Sequence, residues 1–396
     1  MRYKTEKLGK FLYIKGRIGW KGLKKSEYLE HSEYKIINGE SLTKNGIDWD
    51  KAGYISKERY DESPEIMLQN DDILISKDGT IGKLGFVENL SYKATVASGI
   101  FVLRNLNSNL INTRFIYNYL SSSYFSNFII SRTEGSVIPH LYQKDFVELD
   151  FPLPSLEIQD KIVEILDAIS LKIKINNLIN NNLEQQAQVI FSNEFLSLET
   201  LPDSWMKASL IDVADYLNGL AMQKYRPTAD ETGIPVLKIK ELRQDYCDDN
   251  SELCSPNIKS EYIIHNGDVI FSWSGSLLVD FWCGGICGLN QHLFKVTSSR
   301  YDKWFYYAWT KHHLDRFIAV AADKATTMGH IKRDELSKAE VLIPNEADYN
   351  RIGALVQPIY DLIISNRIEN KKLASLRDII LPKLMSGEIN VSNLDI

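Results

Sequence analysis

The sequence predicts an α+β chain: two similar mixed α/β domains separated by two long antiparallel coiled-coil-like helices, a pseudo-twofold tandem repeat. Three observations predict it. The segment "NDDILISKDGT" (Asn70 to Thr80) returns about 196 residues later as "NGDVIFSWSGS" (Asn266 to Ser276), with Asp72 on Asp268, Ser76 on Ser272 and Gly79 on Gly275. A second pair of segments, ending at Ile162 and Ile352, repeats at an offset of about 190 and sets His140 on His330 and Pro154 on Pro344. Each copy then enters a long stretch whose apolar residues recur at heptad spacing.

Taken in order, the elements form four blocks: a first domain over residues 1–151, a central long helix over 152–198, a second domain over 199–343, and a C-terminal long helix and tail over 344–396. The first 25 residues carry nine bases against one acid, Glu6. This is either a basic arm or a solvated surface; as an arm, its Arg17, Lys21 and Lys24 are candidate phosphate contacts. "DDILISKDG" and "GDVIFSWSG" are short apolar strands ended by a turn of small residues. "GIFVLRNL" and "QHLFKVTS" are the next matching strands, and each leads into an aromatic-rich segment, Thr113 to Ile129 and Asp302 to Ile318, whose rings are expected in the core rather than stacked on bases. Polar loops follow in both copies. The strand-ending turns and these loops offer hydroxyls, backbone amides and bases: Ser76, Lys77, Thr80, Arg132, Thr133 and Ser136 in the first copy; Ser272, Ser274, Ser276, Lys324, Thr326 and Thr327 in the second. Such groups suit phosphate oxygens and guanine edges, and each could equally form a turn. His140 and His330, matched across the copies, are expected to pin these loops.

Prolines 152, 154 and 344 mark strand-to-helix junctions. In the helices, the heptad positions Ile162, Ile169, Asn176, Leu183 and Ile190 match Ile352, Ile359, Asn366, Leu373 and Ile380 type for type. A buried Asn in such a stripe costs stability and sets register, so the helices are expected to pair with each other, and replacing Asn176 and Asn366 with Leu is expected to raise stability while loosening register. Each helix spans about 60 Å at 1.5 Å per residue, and Gly387 is placed to stop the second. Residues 192–205 link the two halves.

Composition narrows the function class. The net charge is −6, with the first 150 residues near +2 and residues 199–344 near −4. No apolar run reaches the roughly 18 residues a membrane span requires, and the charged N-terminus lacks a signal-peptide core, so a cytoplasmic protein is expected. The cysteines, 247, 254, 283 and 287, all lie in the second half; "CGGIC" with His292 fits no zinc spacing well, and buried free thiols are the expectation. No Asn/Asp-Pro-Pro-Tyr motif, catalytic Pro-Cys or glycine-rich cofactor loop of a methyltransferase is present, and "GTIGKLG" is too short for a phosphate loop.

The paired strand segments, the "PLP" junction and the two long helices, with "LPSLEIQDKIVEILDAI" and "LRDIILPKLMSGEI" above all, resemble the specificity subunit of type I restriction-modification systems over essentially the whole chain. The resemblance implies two target-recognition domains, each reading one half of a bipartite, asymmetric site on double-stranded DNA. It implies helices that set the spacing and dock two methyltransferase subunits, with two restriction/translocase subunits joining them. It implies a non-catalytic chain without cofactor, with S-adenosylmethionine, ATP and magnesium held by the partner subunits. Helices of about 60 Å correspond to on the order of 17 base-pair steps at 3.4 Å each. Other readings are the specificity portion of a stand-alone methyltransferase or nuclease, and a non-enzymatic DNA-binding scaffold.

Overall fold

The computed structural model describes residues 3–19, 22–43, 46–133, 140–323, 331 and 333–394. The chain divides into two compact units, one of Met1–Leu171 with Ala374–Ile396, the other of Lys172–Leu373. Structure thus groups residues across sequence order, and both long helices are cut by the division.

In the first unit, four strands form an antiparallel sheet: β1 (Leu12–Gly16), β2 (Ile73–Ser76), β3 (Leu84–Phe86) and β4 (Ile100–Asn105), in the order β1-β4-β2-β3. Their residues are apolar on both faces, as a sheet sandwiched between packed layers demands. Ile14, Ile73, Ile75 and Leu103 face one core and Leu74, Ile100 and Val102 the other. A smaller sheet sets Tyr34–Ile37 parallel to Lys93–Val96 and antiparallel to Gly53–Ile55. A framing pair joins Thr5–Lys7 to Asp150–Pro152. Helix α1 (Thr113–Leu120) is started by Asn112, whose side chain accepts from the amides of Arg114 and Phe115, and it buries Phe115, Ile116, Tyr119 and Leu120 at helical spacing. Helix α2 (Leu156–Phe191) contributes its first turns, where Ile162, Val163 and Leu166 join this core together with Leu381, Leu384, Met385 and Val391 from the far end of the chain. Lys161 donates to the Ser392 carbonyl at 2.8 Å.

The second unit repeats the plan. β5 (Asp215–Asn218), β6 (Val269–Ser272), β7 (Leu278–Phe281) and β8 (Leu293–Thr297) take the order β5-β8-β6-β7, the same topology as the first sheet. Ile234–Leu237 lies parallel to Cys287–Leu289, and Met206–Ser209 pairs with Glu340–Ile343, as their counterparts do in the first unit. Helix α3 (Lys303–His312) buries Trp304, Phe305, Tyr306, Tyr307 and Trp309, so the aromatic run is core. Residues 192–205 are more than a linker: Phe195 and Trp205 sit in this core, and the Trp205 indole donates to Asp348 at 3.0 Å.

Helix α4 (Glu346–Ser386) stops where Gly387 turns at φ +74°, a conformation suited to glycine. Within the second unit it runs antiparallel to α2. Asn176 donates to Asn370 at 2.8 Å and to Glu369 at 2.7 Å, and Asn366 donates to Asn180 at 2.9 Å. Advancing four residues along one helix retreats four along the other. The asparagines therefore pair, but Asn176 does not meet Asn366. The remaining stripe positions divide between the cores. Ile162 and Ile352 are fully buried. Leu183, Ile190 and Ile359 pack on the second core and Ile380 on the first, while Ile169 and Leu373 are half-buried. Arg367 of α4 reaches into the domain and grips Asp280 with both oxygens, at 2.8 and 3.1 Å, and Asp245 at 3.1 Å. Burial alone would depress its guanidinium; the two carboxylates outweigh it and push the pKa up.

Candidate nucleic-acid interface

The repeated segment that anchors the sequence reading builds a corner at the end of β2 and of β6. Its aspartate is structural. Asp72, with no exposed surface, accepts from the Gln69 amide at 2.8 Å and pairs with Arg104 at 2.7 Å. Asp268 accepts from the His265 amide at 2.9 Å and pairs with Lys295 at 2.9 Å. The serines are structural too. Ser76 donates to the Thr80 carbonyl at 2.6 Å and accepts from the Lys83 amide, and Ser272 donates to the Ser274 carbonyl at 3.2 Å. Gly79 and Gly275 hold φ of +67° and +65°, which a side chain would strain.

What these anchors present outward is Lys77, Asp78 and Thr80 in the first unit and Trp273 and Ser276 in the second, while Ser274 is buried. Lys77 lies over the Phe101 ring, 4.8 Å from its centre. His140 pairs through Nδ1 with Asp78 and packs against Tyr142, so it ties the returning loop to the corner. Trp273 donates through Nε1 to Asn218 at 3.0 Å, and the Ser274 hydroxyl meets His292 Nδ1 at 3.1 Å. Thr80 and Ser276 are exposed.

The structure places the other expected contacts elsewhere. Arg17 is buried; its guanidinium donates to the Val96 carbonyl at 3.1 Å and to Thr95 at 3.3 Å, inside the first domain. Lys24 begins a short turn, its amide donating to Glu27 at 2.7 Å. Arg132 and Thr133 end the helix Ser123–Thr133, and their side chains lie outside the described residues. Lys21, Ser136, Lys324, Thr326, Thr327 and His330 also lie outside the described residues. Asp78, Asn218, Trp273, Gln291 and His292 are absent from the sequence-level candidates. Small hydroxyls and bases are the types whose chemistry a sequence displays for DNA contact, and only chain reversal brings Asn218 and Gln291 to the same corner.

The cysteines are free thiols: Cys254, Cys283 and Cys287 are buried and Cys247 is half-buried. Among the described residues no group of three or more His, Cys, Asp or Glu is arranged to hold a metal ion, and no helix is long and apolar enough to cross a membrane.

A family model, type I restriction modification DNA specificity domain, matches residues 3–185 and again 202–376. The chain belongs to that family. Specificity subunits are the non-catalytic DNA-recognition components of type I restriction systems. Among similar specificity subunits, that of the MjaIX enzyme of Methanocaldococcus jannaschii is 25% identical over 307 residues, covering 71% of this chain and 70% of its own. That of EcoKI from Escherichia coli is 23% identical over 401 residues, covering 91% and 84%. The crystal structure of a type I restriction-modification S subunit from M. genitalium aligns over 97% of this chain and 96% of its own with a TM-score of 0.57 at 15% identity, a likeness of fold.

Proposed function

We propose that this specificity chain reads a bipartite, asymmetric site on double-stranded DNA, one half with each domain, inside a type I restriction-modification complex acting in the cytoplasm. The observation that carries the reading is the doubled domain: one sheet topology, β1-β4-β2-β3 and β5-β8-β6-β7, presents two corners of different chemistry. Two unlike readers on a repeated frame select an asymmetric site, with phosphate contacts setting register and base edges setting sequence. The helices set the gap between half-sites and dock two methyltransferase subunits. Their exposed apolar residues support this: Ile175, Leu178 and Ile179 on α2 and Leu355 and Leu362 on α4 remain solvent-facing, an unusual expense for a helix with nothing further to cover. Two restriction/translocase subunits complete the assembly, and S-adenosylmethionine, ATP and magnesium belong to the partner chains.

Co-expression with the methyltransferase subunits, followed by sequencing of methylated bases, tests the reading. One two-part motif with a constant gap is expected, together with co-purification of the subunits. Methyl transfer from labelled S-adenosylmethionine by the isolated chain would overturn it.

A further inference from the structure

The two corners can be superposed position by position without reference to any other protein. Ser76 faces Ile100 across its ladder as Ser272 faces Leu293. Phe101 faces Gly16 as Phe294 faces Asn218. The Leu141 amide donates to the Lys77 carbonyl at 3.1 Å, and the Ile331 amide donates to the Trp273 carbonyl at the same distance. Lys77 therefore corresponds to Trp273, Asp78 to Ser274, Ser98 to Gln291 and Gly99 to His292.

Along this correspondence, the residues that hold the corner are the same and the residues that it displays are not. The buried serine, the glycine at positive φ and the phenylalanine shelf recur. On that shelf stands an ammonium in the first unit, 4.8 Å from the Phe101 centroid, and an indole in the second, 5.8 Å from the Phe294 centroid. Freely drifting surface residues would differ too, but they would not be held. Here each set is internally braced. Asp78 is tied to His140, which packs against Tyr142; Trp273 is tied to Asn218, and Ser274 to His292, whose Nε2 lies 3.3 Å from the Gln291 side-chain amide nitrogen. Side chains ordered before a ligand arrives lose less freedom on binding and discriminate more sharply.

We propose that this corner is the base-reading site of each domain, Lys77 selecting the guanine of a G·C pair in one half-site and Gln291 selecting the adenine of an A·T pair in the other. The proposal rests on the reading that each domain recognises half of a DNA site. An ammonium is donor-only and suits guanine O6 and N7; a carboxamide both donates and accepts and suits adenine N6 and N7. Trp273 is a positioning residue that walls the second corner with an apolar face.

The test uses the full complex with its methyltransferase subunits, maps methylated bases in cells, and measures methylation of oligonucleotides altered at one base pair. Lys77→Met, which keeps the unbranched stem but cannot donate, is expected to relax one G·C position in one half-site, with discrimination there falling about ten- to hundredfold and the other half unchanged. Gln291→Leu is expected to relax one A·T position in the other half. Gln291→Glu keeps the shape but only accepts, and should shift that position toward the base pair that offers a cytosine amino group. Co-purification of each variant with its partners reports folding; if Gln291→Leu does not assemble, the isosteric Gln291→Glu decides. An unchanged motif with unchanged discrimination, or a uniform loss across all sequences as phosphate contacts would give, overturns the proposal. Absence of any two-part motif with the wild-type complex would instead overturn the proposed function.

Discussion

At the residue scale, side-chain type announces chemistry but not destination. Arg17 stands in the most basic stretch of the chain, yet its guanidinium is spent on the Val96 carbonyl and Thr95. Ser76 and Ser272, whose hydroxyls suit either a phosphate oxygen or a turn, close their own turns. The alternative of turn formation was available for each, and only the tertiary partner decides it. The thiols show the same dependence in a measurable form. Burial pushes Cys254 up to about 11 and Cys283 up to about 12, and pushes Cys287 further. A hydrogen bond from Cys287 lowers the half-buried Cys247. Thiolate is the reactive form, so iodoacetamide at pH 7.5 is expected to label Cys247 alone in the native chain and all four cysteines after unfolding. Peptide mapping by mass spectrometry checks this; preferential native labelling of Cys283 or Cys287 would contradict it.

At the element scale, the heptad pattern identified both helices and their asparagines, and the structure supplies the pairing that the pattern could not. Matching type for type makes Asn176 and Asn366 equivalent positions of the repeat and says only that the two helices pair. In antiparallel helices each equivalent position meets a different one, so Asn176 meets Asn370 and Asn180 meets Asn366. The expected outcome of substitution changes accordingly. Replacing Asn176 and Asn366 with Leu strikes two separate pairs and leaves the buried Asn180 without its donor, at a cost of about 1–3 kcal/mol for each group left unsatisfied. Replacing Asn180 and Asn366 together removes both members of one pair, and the result is expected to be close to neutral or stabilising. Thermal unfolding of the two double variants separates the cases: the first should melt below the wild type and the second at or above it.

At the scale of the whole molecule, each compact unit is closed by chain that sequence order assigns elsewhere. Leu381, Leu384, Met385 and Val391 follow the second domain in sequence but complete the core around Ile162, Val163 and Leu166 of the first. Each such side chain contributes about 1.5–3 kcal/mol on burial, so together they approach the whole stability of a typical domain. Deleting residues 374–396 is therefore expected to destabilise the first unit. Hydrogen exchange should show amide protection lost in residues 156–171 and in α1, while α3 of the second unit stays protected. Loss confined to the second unit would refute the assignment.

The sequence by itself determined the doubling, the α+β class, both long helices, the stop at Gly387 and, through resemblance, the family. These rest on local periodicity and on repeated types at matched positions, which a linear string displays in full. Tertiary structure alone decided which asparagine meets which, that the end of the chain completes the first unit, and that Asn218, Trp273, Gln291 and His292 share one corner. Those relations come from antiparallel pairing and strand order, which bring together residues tens of positions or more apart. Side-chain contact at such separation depends on the packing of everything between, and no window of sequence contains it.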